Sequence, residues 1–397
     1  MIVRVAVCVL LACLETVVAQ PRLQDFSSRR YSISTDAPRD VAARIAAHMD
    51  LVYNDYLSRF SRYGVRNAGP LRLYVFSDRA GYLEFLAGEN INGFGTGGMF
   101  VASRDRQMLL TWLGDRPLDG VLGTLRHEGL HQFVHQRVSD SLAQWCNEGM
   151  AEYFNYSIVS GNAIEPGIAD PNAIRRVNDA LLDGTALPLG DLLFITNEQW
   201  NDVVTSGDGM ARVLYDQSWS VVHFLGHAQG GRFEPLLASF INAQWQGKTV
   251  EQASAEVFTR DLVTMERAWF DYITTLEADP LIRAFERLRP IAMITLRMHE
   301  LGEAVRSAGD LVRLAHEYNV EGTAPTHRGP MPIGVDGEQA TPWWLEMPAD
   351  RFRGRPASVE IRAGRRGGLP SIRVRGLRRE AAVVWTDAEP GYELVIR

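Results

Sequence analysis

His127-Glu128-Gly129-Leu130-His131 follows directly on a run in which Leu118, Val121, Leu122 and Leu125 recur at helical spacing behind Pro117, a favoured first-turn residue. The stretch therefore predicts an amphipathic helix whose apolar floor lies below two histidines. Residues four apart on a helix stand one turn above each other, so His127 and His131 can offer both imidazoles to a single ion. Glu128 lies about 100° round the helix from His127. From there its carboxylate reaches a water on that ion without being a ligand, which is the position a general base requires. Catalytic zinc usually takes three protein ligands and a water. The expected third ligand is Glu148, in the string Asn147-Glu148-Gly149-Met150-Ala151-Glu152. Residues 132 to 147 are enough chain to end one helix, turn, and bring a second alongside. Glu152, one turn beyond Glu148, is placed to hydrogen-bond the free ring nitrogen of a zinc histidine. One Zn2+ is the expected cofactor.

A metzincin would continue with Gly at 134 and His at 137, where this chain has Val134 and Arg137. With its downstream glutamate the chain resembles instead the gluzincins, the metallopeptidases with a His-Glu-x-x-His helix. The string Asn-Glu-Gly-x-Ala-Glu is similar to the third-ligand helix of the peptidase MA-like group. That group includes a bacterial family of unknown function and, more distantly, the zinc aminopeptidases. The resemblance runs from Tyr31 to about Tyr272 and implies an α+β fold, a zincin-like mixed sheet with an active-site helix. It extends to Tyr215-Asp216-Gln217-Ser218-Trp219. There it implies that Tyr215, like the tyrosine of a comparable helix in the aminopeptidases, stabilises the tetrahedral intermediate. The aminopeptidases also carry Gly-x-Met-Glu-Asn on the strand beside the active-site helix, with a glutamate that holds the substrate amine. Here the matching string is Gly97-Gly98-Met99-Phe100, without a carboxylate.

The chemistry these residues point to is hydrolysis of an amide bond by a water activated on zinc. Glu128 would take the water's proton and pass it to the leaving nitrogen, and Tyr215 would donate to the oxyanion. A peptide or protein is the expected substrate, with endopeptidase and exopeptidase action both open. The reading from another class is a catalytically inactive peptidase-like binding or scaffold protein at the cell surface.

Met1 to Arg4, the apolar run Val5 to Leu14 and the small-residue site Val17-Val18-Ala19 read as a cleaved secretory signal. That run is too short for a membrane span. Leu10-Leu11-Ala12-Cys13 also resembles a lipoprotein box, which would anchor the chain at Cys13. Either reading places the protein in the periplasm or outside the cell. Ordinary cleavage removes Cys8 and Cys13 and leaves Cys146 alone, so a core rather than disulfides must stabilise the chain. A content of 46% hydrophobic and 22% charged residues is that of a globular protein. A net charge of −7 gives no reason to expect a nucleic-acid partner. Lys248 is the only lysine, and the arginine-dense tail from Arg351 to Arg397 reads as a solvated β surface.

The chain divides by pattern into a signal at 1–19, a zincin-like α/β part at 20–157, a helical subdomain at 158–320, a linker at 321–340 and a small β module at 341–397. Strands are expected at Tyr31 to Thr35, Leu71 to Phe76, Met99 to Ala102 and Gln107 to Trp112, with helices after Pro38 and near Arg79 to Leu86. Gly97 to Val101 is a candidate edge that an extended peptide could join as one more strand. Helices are expected over Pro171 to Leu182, Arg212 to His227, Phe233 to Asn242, Val250 to Val257, Leu262 to Leu276 and near Ile294 to His316. Leu187-Pro188-Leu189 marks a bend, and three prolines between Gly322 and Gly337 mark the linker. His135 continues the histidine stripe but stands about 11 Å along the axis from His127, too far to share its ion. His223 and His227 form a second pair four apart, with no acid following to serve as base.

Overall fold

The computed structural model describes residues 23–63, 69–103, 106–138, 142–160, 162–207, 209–326, 329–337, 340–350, 355–387 and 391–396. The signal sequence expected at 1–19 lies outside the described residues.

The architecture is α+β. The first part comprises β1 (Gln24–Ser27), β2 (Tyr31–Thr35), α1 (Arg39–Phe60), β3 (Leu71–Phe76), α2 (Arg79–Gly88), β4 (Gly98–Ala102) and β5 (Gln107–Trp112). The sheet order is β1-β2-β3-β5-β4. β2, β3 and β5 run parallel, while β1 and β4 are antiparallel additions at the two edges. The alternation of the sequence decides the faces. Tyr31, Ile33, Leu71, Leu73, Val75 and Leu109 enter the main core under α1. Phe76, Met108 and Leu110 turn the other way and pack with Tyr82 and Leu86 of α2.

The helix carrying both histidines, α3 (Leu118–Phe133), opens behind Pro117 as the sequence predicts. It buries Val121, Leu125, Leu130 and Phe133 in the main core, with Leu118 and Leu122 packed at its margin. It ends in a π-helical turn, Val134–Val138. α4 (Gln144–Asn155) then returns alongside and carries Glu148.

Past α4 the sequence predicts a mainly helical stretch up to residue 320, and the structure opens it with a short hairpin, β6 (Ile158–Ser160) and β7 (Ala163–Glu165). The helices that follow are α5 (Pro171–Asp183), α6 (Leu189–Phe194), α7 (Asn197–Thr205), α8 (Met210–His227), α9 (Glu234–Trp245), α10 (Val250–Phe258) and α11 (Leu262–Thr275). α6 and α7 were not expected. Their signals are short: Pro188 stands at the N-cap of α6, and Thr196 with Gln199 forms a capping box on α7. α8 crosses against α4 so closely that a Cβ on Gly149 would sit 2.5 Å from the Ser218 carbonyl oxygen.

The segment expected near Ile294 to His316 is two helices, α12 (Pro280–Glu300) and α13 (Ala308–Glu317). Asp279 caps the first by accepting from Leu281 N, and Gly302, at φ 80°, lies just beyond its end. The stretch expected as a linker instead forms a hairpin, β8 (Thr323–Thr326) and β9 (Gly329–Pro332), with Ala324 and Ile333 buried. Its prolines read as linker chemistry because such two-stranded ribbons tolerate them. After the two-residue pair β10 (Ala349–Asp350) and β11 (Arg355–Pro356) comes a meander of β12 (Ser358–Arg362), β13 (Ser371–Arg375), β14 (Ala381–Trp385) and β15 (Tyr392–Ile396). This sheet shares one core with α12, α13, Ile158 and Ile168, so those two helices pack with the terminal module rather than with the preceding helices. Arg378 and Arg379 pair with Glu165 of β7 across the same junction. Among the described residues no helix is long and apolar enough to cross a membrane.

Candidate metal centre

α3 and α4 bring three side chains to one point. His127 Nε2 lies 3.3 Å and His131 Nε2 3.2 Å from Glu148 Oε2. Neither approach has hydrogen-bond geometry, and Oε2 is buried without a hydrogen-bond partner. A tetrahedral zinc with bonds of about 2.0 to 2.1 Å sets its ligand atoms about 3.3 to 3.4 Å apart. The spacing and the unpartnered oxygen therefore fit a shared ion better than three mutual contacts. These are the only three such side chains among the described residues that could hold a metal together. With 12 to 14% of each side chain exposed, the group is within reach of solvent.

Electrostatics draw the group together. Burial opposes charge on His131, but the Glu148 carboxylate outweighs it and holds the ring's pKa up at about 9. Burial likewise opposes charge on His127, and its contact with Glu148 reverses the effect. Burial of Glu148 is overcome in turn by both rings, which hold its carboxyl well below the usual range. Asn147 also favours the charged His131 ring.

Glu128 stands beside the three and outside the group. Its Oε2 accepts from the backbone N–H of Phe100 on β4 at 2.9 Å. Burial pushes its pKa up, against the pull of His127 and His131. Tyr215, on α8, sits with its ring centroid 6.4 Å from that of His127 and edge-on to Trp200. Burial first, and the carboxylates of Glu148, Glu128 and Glu152 after it, raise its pKa, so its hydroxyl keeps its proton.

Glu152 does not make the hydrogen bond expected of it. Its Oε1 is 4.0 Å from His127 Nδ1, at ion-pair distance only. The same oxygen meets Arg212 Nη1 at 3.2 Å, and Oε2 accepts from Asn155. Arg212 reaches on to Asp216, which is fully buried and also grips Arg176. Sequence reasoning passed over all three, although Arg212 and Asp216 have the four-residue spacing of a helical ion pair.

Three further histidines have local partners. His135 packs its ring on Phe100 at 5.5 Å between centroids. His223 Nδ1 meets the Tyr272 hydroxyl at 2.7 Å, and His227 Nε2 meets that of Tyr153 at 2.8 Å. Burial then lowers the pKa of both rings, that of His223 to about 3. Cys146 is buried on α4, and burial pushes its thiol pKa up, which leaves an unreactive thiol. In the tail, Arg362, Arg373 and Arg375 pair with Glu360 and Glu380, so among the described residues these three arginines are balanced by acids.

No curated protein matches the chain. Residues 121–244 match a family described as "Protein of unknown function (DUF1570)". That span holds His127, Glu128, His131, Glu148, Glu152 and Tyr215 together. The centre of the chain is thus similar to a family without an assigned activity, and carries a group able to hold a metal ion.

Proposed function

We propose that this chain is a zinc-dependent peptidase whose reaction centre is the group of side chains that α3, α4, α8 and the edge strand β4 bring together. The observation that carries the reading is the convergence of His127 Nε2, His131 Nε2 and Glu148 Oε2, with the half-buried Glu128 carboxylate outside the group beside them. When bound there, zinc supplies a Lewis acid and lowers the pKa of a water towards about 7.

The chain's own residues perform the rest. Glu128 takes a proton on its carboxylate and releases it to the leaving nitrogen; burial raises its pKa in the direction that helps it hold the proton between the two steps. The protonated Tyr215 hydroxyl donates to the oxygen that gains charge. β4 is an open edge, so an extended peptide can pair with it and lie across these side chains. By the resemblance, Phe100 falls at the position of the aminopeptidases' amine-binding glutamate, and the lack of a carboxylate there favours cleavage within a chain over trimming of a free terminus. The reading of residues 1–19 as an export signal supports an activity outside the cytoplasm.

The test is elemental analysis of the purified protein, followed by fluorescence release from a quenched peptide library with and without chelator. Zinc at one ion per chain with chelator-sensitive cleavage is the expected result. Zinc without turnover would leave a binding or scaffold role, and a chain indifferent to zinc would overturn the reading. The library profile separates internal cleavage from terminal trimming.

A further inference from the structure

Behind the candidate metal centre lies a charge array that no ligand role explains. Asp216, fully buried on α8, is gripped from two sides. Arg176 of α5 gives Nε to Oδ2 at 2.5 Å and Nη2 to Oδ1 at 2.9 Å. Arg212, one turn before Asp216, gives Nε to Oδ2 at 3.0 Å and Nη2 to Oδ1 at 2.5 Å. A carboxylate held by two guanidinium forks leaves one positive charge over. That charge meets Glu152, whose Oε1 takes Arg212 Nη1 at 3.2 Å. Tyr156, just past the end of α4, accepts from Arg212 Nη2 at 3.0 Å and ties the same guanidinium to that helix.

We infer that Arg212 is a positioning residue for the metal centre: locked by Asp216, it holds the Glu152 carboxylate behind His127 Nδ1 and so fixes the face that His127 presents to the ion. The inference deepens the peptidase reading and rests on the metal site it uses. Glu148 and Glu152 lie four residues apart on α4, where like charges repel. Arg212 offsets that repulsion, so both carboxylates can face His127. With Oε1 fixed between Arg212 and His127 at 4.0 Å, Nδ1 is the ring nitrogen directed to the protein and Nε2 the one directed to Glu148. Outer partners of metal-binding histidines orient the ring, and at 4.0 Å Glu152 does so through its charge rather than through a hydrogen bond.

The test compares Arg212→Met, Arg212→Lys and Arg176→Met in the full-length protein. Zinc affinity is measured by competition with a chelator, thermal midpoint by calorimetry, and the His127 Nδ1 proton of the zinc-loaded chain by NMR. Arg212→Met should weaken zinc binding about 10- to 100-fold and broaden or shift the Nδ1 signal. Arg212→Lys should recover part of both, because one ammonium restores the charge but cannot fork to Asp216 and Glu152 together. Arg176 grips the same Asp216 without touching Glu152, so Arg176→Met should lower the thermal midpoint while leaving zinc affinity and the Nδ1 signal near wild type. Equal loss of affinity in the Arg176 and Arg212 variants at equal thermal cost would reduce the array to a fold-stabilising cluster and overturn the inference. Should Arg212→Met not fold, wild-type affinity and an unmoved Nδ1 signal in Arg212→Lys would overturn it too. A wild-type chain that holds zinc yet cleaves nothing sinks the peptidase reading alone; one that binds no zinc sinks both.

Discussion

The backbone N–H of Phe100 donates to Oε2 of Glu128 at 2.9 Å, which ties the proposed base to the outer edge of the sheet. Because β4 is an edge strand, this amide faces away from its neighbour β5, and a proline there removes one donor without breaking the ladder. Phe100→Pro should therefore keep its zinc and its fold while losing about 10- to 100-fold in turnover, an amount in keeping with misplacing a catalytic group. Phe100→Ala, which keeps the N–H, separates the amide from the ring. Steady-state rates and bound zinc decide it: a proline variant as active as the alanine one would show that the contact does not hold the base.

Glu128→Gln preserves shape and removes the proton acceptor. Zinc content should stay at the wild-type level while turnover falls by about 10²- to 10⁴-fold. His131→Ala should lose the metal itself, since two ligands do not make a catalytic zinc site. Elemental analysis beside a peptide cleavage assay reads both. Full activity in the glutamine variant would remove Glu128 from the mechanism.

Stability of the zinc-free protein should depend on pH in a stated direction. The folded His131 ring holds its proton up to about pH 9, against about 6.5 in an unfolded chain. Its contribution is thus fully present below about pH 6.5 and is lost as pH rises through about 9. Glu148 has the opposite sense: its carboxyl is depressed, so its contribution is present above the ordinary carboxylate range and is lost as pH falls through and below it. Calorimetry of chelator-treated protein should find the midpoint falling from near-neutral to pH 9, and much less of a fall when zinc is bound. Zinc uptake at pH 7 should release protons, with a smaller release above pH 9 as His131 arrives deprotonated. A rising or flat midpoint over that range in the zinc-free chain would contradict the pairing of His131 with Glu148.

Gly149→Ala places a Cβ 2.5 Å from the Ser218 carbonyl oxygen, a backbone atom that cannot swing aside. The helices α4 and α8 must part to admit it, which moves Glu148 away from Tyr215. An overpacking cost of about 1 to 3 kcal/mol is expected, together with reduced turnover. Denaturant unfolding measures the first and the cleavage assay the second; a variant of unchanged stability would mean that the helix pair yields more readily than its spacing suggests.

Much of this was legible in the residues. β2 and the start of β3 follow from alternation of apolar side chains, β5 from a short apolar run, and α3 from its four apolar positions and Pro117. The three candidate ligands follow from a spacing that only a helix turns into geometry. The array behind them did not show, because Arg176 and Asp216 stand 40 residues apart and meet only when α5 packs on α8. Phe100 escaped for another reason: its contribution is a main-chain N–H, which every residue but proline owns. Pro290 masked the early start of α12, and the prolines of β8 and β9 imitated a linker. In each case a tertiary contact overrode a local rule.

Ile158 and Ile168 bury themselves in the same interior as Ile372 and Val374, and Glu165 between them is clasped by Arg378 and Arg379. The carboxy-terminal sheet is therefore a lid screwed onto the back of the reactive half, not an ornament hung from it. Anyone trimming the gene down to that half alone would expose raw oily patches at those two isoleucines and orphan an acid, and would need polar substitutes there before expecting a soluble minimal enzyme.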